Sequence, residues 1–313
     1  MNSPLDRPSS RLTGVYPSES QTKTGKALPI SRITPDTMVA DVLDQLVFPV
    51  AAQRTLSLLD DVCSESWDIS AAVAMDPVLA VRVLRICNSP MYRRAMPIDN
   101  IEKAIGVIGR TRLKELVLAC GVVSGFEGKE FTTLDQKDFW RHCLACGVIA
   151  AHIAKTWRRD LQDSALTAGL LHDIGQLVMF MREPGRMAEA LDVAADARDL
   201  IDMGTAELEV FGFNHMQVGS VLADAWHLPE SLKAVMCWHH EPDEAEDHED
   251  LVALVHVSNA LADLFELESR DIADAPAIQE GCLEALGIDP EDVPGIIDAA
   301  AEQFSEMQAL LGI

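Results

Sequence analysis

The chain has 313 residues, 48% of them hydrophobic, enough to bury about three quarters of its unfolded surface in one large or two modest cores. Fifty Asp and Glu against 25 Lys and Arg give a formal net charge of −25, an excess that repels the nucleic-acid backbone and argues against direct nucleic-acid binding. The sequence contains no apolar run of about 18 residues and begins without an apolar signal core, so a cytoplasmic protein with no membrane insertion is expected; seven scattered cysteines fit reduced thiols.

Residues 1–30 are rich in Ser, Thr, Pro and Gly and are expected to form a disordered tail. Beyond them apolar residues recur at helical spacing. In VLDQLVFPVAAQRTLSLLDDV, Leu43, Leu46, Val47 and Val50 fall on one stripe, followed by Leu56, Leu59 and Val62. Asp76-Pro77 is a helix start, Asn88-Ser89-Pro90 a stop, and Gly109 marks the end of the next helix. Asp135 opens QKDFWRHCLACGVIAAHIAKTW, and Asp163 or Ser164 opens the helix carrying GLLHDIGQLVMF. Asn214 with Gln217 has capping-box spacing, and Pro229 stands at another start. Roughly twelve to fourteen helices, with almost no strand-type alternation, predict an all-α protein. GFEGKEFTTLDQ near 125–137 is a candidate seam, and EPDEAEDHED a solvated loop.

Charge is uneven along the chain. Residues 230–313 hold 21 Asp and Glu against Lys233 and Arg270 alone. Residues 82–115 form a basic island of Arg82, Arg85, Arg93, Arg94, Lys103, Arg110, Arg112 and Lys114. It reads either as solvated helix faces or as a docking site for an acidic partner or a phosphate-bearing ligand.

His142, His172, Asp173, His215, His239 and His240 stand on four predicted helices or helix ends. Imidazole and carboxylate accept a divalent Fe, Mn or Zn ion, and inward-facing ligands from several helices can surround one in a bundle. Cys143 and Cys146 have Cys-x-x-Cys spacing without a haem or thioredoxin context, and are expected to be small fillers of a buried face. Trp140, Trp157, Trp226 and Trp238 are expected to be core anchors, and His256 to pack in the core.

HDIG, preceded by FWRHCLACG and followed by FGFNHMQVGSVLADAWHLPESLKAVMCWHHEP, resembles an HD-superfamily domain. The upstream block AMDPVLAVRVLRICNSPMYRRAMPIDNIEKAIGVIGRTRLKELVLACGV narrows this, being similar to the N-terminal part of the HDOD domain, a bacterial signalling module. The resemblance covers roughly residues 39–241 and implies an HD-domain-like helical bundle (135–241) with an additional N-terminal helical lobe (39–127). Residues 242–313 would then be an acidic C-terminal helical extension packing on the HD-like lobe. By position it assigns the metal ligands to His142, His172, Asp173, His215 and His239 or His240, with Asn259 where the family's last aspartate falls. A neutral amide there removes one negative charge from the site. Gln176 replaces the lysine of the cyclic-dinucleotide phosphodiesterase branch, whose Gly-Tyr-Pro motif is missing after WHHEP.

These departures favour a non-catalytic signalling protein acting through protein contacts with signalling proteins in trans. Its degenerate pocket would retain a metal or take a ligand such as a nucleotide second messenger. The competing expectation is a metal-dependent phosphohydrolase or phosphodiesterase acting on a nucleotide or cyclic dinucleotide. A metal-free small-ligand receptor is compatible with the same residues.

Overall fold

Capping side chains set where the helices of this computed structural model begin. Asp76 accepts from the N–H groups of Val78 and Leu79, Asp135 from Lys137, and Asn214 with Gln217 closes a capping box. The structure describes residues 33–89, 91–92, 97–196 and 202–311; the expected tail, residues 1–30, lies outside them, as do Arg93 and Arg94.

The first five helices are α1 (Pro35–Leu43), α2 (Val50–Asp60), α3 (Ser66–Ala74), α4 (Pro77–Cys87) and α5 (Ile101–Gly125). At the end of α4 the Asn88 carboxamide donates to Ile98 O (2.7 Å) and accepts from Ile98 N–H (2.8 Å), clamping the chain on both sides of the following turn. Gly109, with φ 85°, breaks α5, where the sequence places a helix end.

After a loop over 126–135 come α6 (Gln136–Thr156), α7 (Ala165–Leu171), α8 (Ile174–Arg182) and α9 (Pro184–Asp196). They are followed by α10 (Met203–Phe211), α11 (His215–Ala225) and α12 (Glu230–Trp238). The last three are α13 (Glu249–Glu266), α14 (Cys282–Leu286) and α15 (Val293–Leu311).

The described residues thus form fifteen α-helices and no strand, above the expected twelve to fourteen. One extra helix comes from a break inside HDIG. The stripe expected from Leu43 to Val62 is also corrected. Helix α1 ends at Leu43 and α2 starts after Pro49, a residue that cannot continue a helix from the preceding turn. Val47, Val50 and Val62 therefore point to solvent, whereas Leu46 and Phe48 turn inward.

Residues 33–313 form one compact unit. Helix α6 is its axis, packing against α7, α13 and α15. Helix α1 lies on α8 and α11, and α15 touches α4 as well as α6 and α13. Trp226, at the end of α11, meets the rings of Phe48 and Phe126 edge-on at 5.8 and 6.0 Å. Chain segments remote in sequence are thereby joined around one apolar core. No helix of the described residues is long and apolar enough to cross a membrane.

Candidate metal centre

Two glycine contacts bring the histidine-bearing helices together. A Cβ on Gly169 would lie 2.6 Å from the Gly147 Cα, so α6 and α7 cross with their backbones nearly touching. A Cβ on Gly175 would lie 2.1 Å from the His215 carbonyl oxygen, so the start of α8 rests directly on the start of α11. The expected continuous helix through HDIG is corrected here. His172 caps the end of α7 and Asp173, with φ −96° and ψ 7°, precedes α8. The break turns both side chains toward the same interior point, which adjacent positions of an unbroken helix separate by about 100°.

At that point lie His172, Asp173, His215 and His239, all buried. The outward ring nitrogen of each histidine is already engaged. His172 Nδ1–H donates to Gly169 O (2.8 Å), His239 Nδ1–H to Val235 O (3.1 Å), and His215 Nδ1–H to the Glu207 Oε2 (2.7 Å). Each imidazole therefore turns Nε2 inward, the nitrogen with which it would ligate a metal in place of a proton.

Asp173 divides its oxygens between two sides. Oδ1 lies 3.3 Å from His215 Nε2 and 3.1 Å from His239 Nε2, while Oδ2 lies 3.3 Å from His172 Nε2. His215 Nε2 and His239 Nε2 stand 3.3 Å apart. Charge-assisted hydrogen bonds are shorter than this, whereas ligands about 2.0–2.2 Å from one ion stand roughly 3.0–3.5 Å from each other. His172 Nε2 and Asp173 Oδ1 have no hydrogen-bond partner, an unusual state for buried polar atoms. The donor set fits a divalent ion.

The charges tell the same story. Burial opposes ionisation throughout the pocket, yet Glu207 and Asp173 hold the His215 pKa up at about 10. Against the same desolvation, the neighbouring histidines hold Asp173 well below the usual carboxylate range. Burial, with His172 and His215 nearby, pushes His239 down to about 4. Asp173 is a buried anion with histidines as its ion-pair partners, so a cation, proton or metal, must accompany it.

Of the residues the sequence singled out, the structure brings His142, His172, Asp173, His215, His239 and His240 into two overlapping donor groups. Asp173, His215, His239 and His240 form one; His142, His172 and Asp173 form the other. Within each, the ligating atoms lie within 4.8 Å of one another. Asn259 stands beside the second group, its Oδ1 accepting from His142 Nε2 at 2.8 Å. His256 does pack in the core, and it also braces the site: Nδ1–H donates to the His239 carbonyl (2.7 Å), while Nε2 accepts from Gln279 N–H (2.9 Å).

Sequence reasoning missed three carboxylates. Glu207 could have been found, since it sits four residues from both Met203 and Phe211 on the inward stripe of α10. Asp263 and Glu266, one and two turns beyond Asn259, flank His142.

The basic island is largely engaged within the chain. Arg110 donates to the carbonyls of Leu58, Leu59, Asp61 and Ser64, closing the end of α2. Arg82 pairs with Ser124 and Glu127, and Arg112 with Gln162 and Asp163; Lys103 and Lys114 meet Asp99 and Asp60. Arg85 also has an interaction. Cys143 and Cys146 are fully buried, as fillers should be, and all seven cysteines are free.

The HDOD domain family model matches residues 46–242. The chain belongs to the HDOD family. A crystal structure of a proposed phosphohydrolase from Shewanella amazonensis superposes with a TM-score of 0.69 at 24% identity, covering 88% of this chain and 98% of that one. An HDOD domain protein of unknown function from Geobacter sulfurreducens gives 0.68 at 22% identity, with 88% and 97% covered. An uncharacterised protein of Treponema pallidum is 24% identical over 262 residues, 81% of this chain. This HDOD chain spans 48% of that relative's length. The structural likenesses establish a shared all-helical fold.

Proposed function

We propose that this HDOD protein is a cytoplasmic bacterial regulator whose HD-type pocket holds a divalent metal, and whose output is contact with a signalling protein in trans. The observation that carries the metal reading is the set of three buried imidazoles, each pinned at Nδ1, with Nε2 of His215 and His239 at the partnerless Oδ1 of Asp173 and Nε2 of His172 at its Oδ2. The free thiols support a reducing compartment.

A bound metal would supply Lewis acidity and electrostatic anchorage at this point. The chain's own residues do the rest. Glu207 orients His215, Gly169 O orients His172, and the His256 bond to the His239 carbonyl fixes the end of α12. The rim argues for regulation over phosphate-ester turnover. Asp263 and Glu266 border His142 there, and acidic side chains repel the phosphates that a hydrolase must admit. Residues 39–127 and 135–241 are taken as the two lobes, with α13 to α15 completing the second.

One observation favours the enzymatic reading, a metal-dependent phosphohydrolase acting on a nucleotide or cyclic dinucleotide: the donor set keeps both histidine groups around Asp173. Elemental analysis of the purified protein, followed by phosphomonoesters and phosphodiesters offered with Mn and Fe, separates the two. The regulatory reading expects bound metal and no turnover. Turnover that disappears in both His172→Ala and Asp173→Ala would establish the enzyme instead.

A further inference from the structure

Helix α3 is apolar on two opposite sides. Ile69, Ala72 and Val73 are buried against the core, while Trp67, Ala71, Ala74 and Met75 recur at helical spacing on the solvent side. A helix with this pattern is normally covered on both. The exposed stripe continues past the turn at Asp76 onto α4, which packs against α3 and turns Val78 and Val81 outward. Trp67 is 62% exposed, Met75 58%, Val78 54% and Val81 47%. Of the five tryptophans, all within the described residues, the other four are buried or half-buried. Single exposed apolar residues are ordinary, but four large ones in the run 67–81 form a patch of the kind that marks a contact site.

The charges beside the stripe select what can cover it. Between Arg54 and Arg82 the chain carries Asp60, Asp61, Glu65, Asp68 and Asp76 and no Lys or Arg. Glu65 precedes α3, Asp68 follows Trp67, and Asp76 stands between Met75 and Val78. Cations on the adjoining elements are engaged elsewhere: Arg82 with Ser124 and Glu127, Arg110 with carbonyls at the end of α2, and Lys114 with Asp60. Arg85, one turn beyond Val81, also has an interaction. The carboxylates oppose an anionic membrane surface, and a second copy would bring the same acidic border against them. A partner whose apolar stripe is bordered by Lys or Arg satisfies both the stripe and its border.

We infer that the face formed by Trp67, Ala71, Ala74, Met75, Val78 and Val81 docks an amphipathic helix of a partner protein, with Lys or Arg flanking that helix's apolar side. This rests on the reading of the output as contact in trans, and it names the surface and the partner's chemistry. Ala71 and Ala74 add little bulk between Trp67 and Met75, so a partner's side chains can reach the helix there. Trp67 supplies a large rigid anchor and Met75 an adaptable one. The face lies on α3 and α4, whereas the pocket histidines begin at His142 on α6, so docking and metal binding use separate residues.

The test offers the full chain a synthetic amphipathic peptide with a leucine stripe and lysine flanks, at about 0.15 M salt, where long-range attraction is screened. One control peptide carries glutamate flanks and another serine in place of leucine. Fluorescence anisotropy gives affinities, and hydrogen–deuterium exchange maps the footprint. Wild type is expected to bind the leucine–lysine peptide at least tenfold more tightly than either control, with exchange slowed over residues 66–81. Trp67→Ser/Met75→Gln/Val78→Gln should lose at least tenfold in affinity and keep its circular-dichroism melt. Glu65→Gln/Asp68→Asn, which removes no apolar contact, should narrow the preference for lysine over glutamate flanks. Undiminished affinity in the triple variant, or a footprint elsewhere, overturns this surface and leaves contact in trans standing. Equal binding of the serine control reduces the effect to charge and overturns it too. A concentration-dependent dimer that slows exchange over the same residues gives the face to a second copy instead. Failure to bind any of the peptides overturns the stated partner chemistry. Phosphate-ester turnover would end the regulatory reading without changing this footprint, so the two fail separately.

Discussion

Glu207 receives two hydrogen bonds from one residue, the backbone N–H and the ring Nδ1–H of His215, both at 2.7 Å. A buried carboxylate in this position fixes the imidazole tautomer and increases the basicity of Nε2, and losing such a partner typically costs 10–100-fold in metal affinity. Glu207→Gln should therefore weaken Mn(II) binding by about one to two orders of magnitude, measured by competition with a chelator. Unchanged affinity would mean that His215 does not hold the ion.

Glu115 poses a different question. Burial raises its carboxyl pKa to about 7, and Oε2 has no hydrogen-bond partner. Because the folded value lies above the unfolded one of 4.5, its contribution is most favourable at low pH and is lost as pH rises from there through about 7. The effect amounts to about 3 kcal/mol at full ionisation. Urea unfolding at pH 5 and pH 8 should show a smaller drop for Glu115→Gln than for wild type. Parallel drops would contradict the assignment.

At the scale of elements, the site depends on the closeness of two helix starts. Gly175→Ala puts a methyl group onto the His215 carbonyl, at 2.1 Å, and that backbone oxygen cannot move without shifting α11. The expected result is a loss of about 1–3 kcal/mol together with impaired metal uptake, read from chemical denaturation and elemental analysis of the same sample. Normal uptake would show that the approach of α8 to α11 does not set the donor geometry.

The helix starts at Asp76, Asp135 and Asn214 were legible because a capping side chain acts within three residues of itself. The break at His172-Asp173 was hidden by apolar residues that continue with helical spacing from Leu166 to Leu177 on both sides of it. The pocket histidines were legible as residue types in a known pattern. Their orientation depends on Gly169 O, Val235 O and Glu207, and the two carbonyls carry no signature of their own in the sequence. Asp263 and Glu266 were passed over because attention fell on position 259, while the helical repeat placed charge one and two turns later.

Across the whole molecule, residues 242–313 are part of the framework, although the family match ends at 242. Helix α13 supplies His256, Asn259, Asp263 and Glu266 and lies along α6; α15 covers α6 and reaches α4. A chain ended at residue 241 would uncover the apolar faces of α6 that α13 and α15 pack against and leave the His239 carbonyl without its bond from His256. It should show no cooperative melt by circular dichroism; a sharp transition would place the folding unit within the family-matched segment. The net charge of −25 surrounds this core with a field that attracts cations and repels free phosphates, in keeping with a pocket that takes metal more readily than a phosphate ester. The most direct test is anomalous X-ray scattering at the Mn edge from crystals of the Mn(II)-loaded protein. The account predicts a peak at Asp173, bounded by the Nε2 atoms of His215 and His239. Crystals with bound Mn(II) elsewhere and none at Asp173 would contradict it.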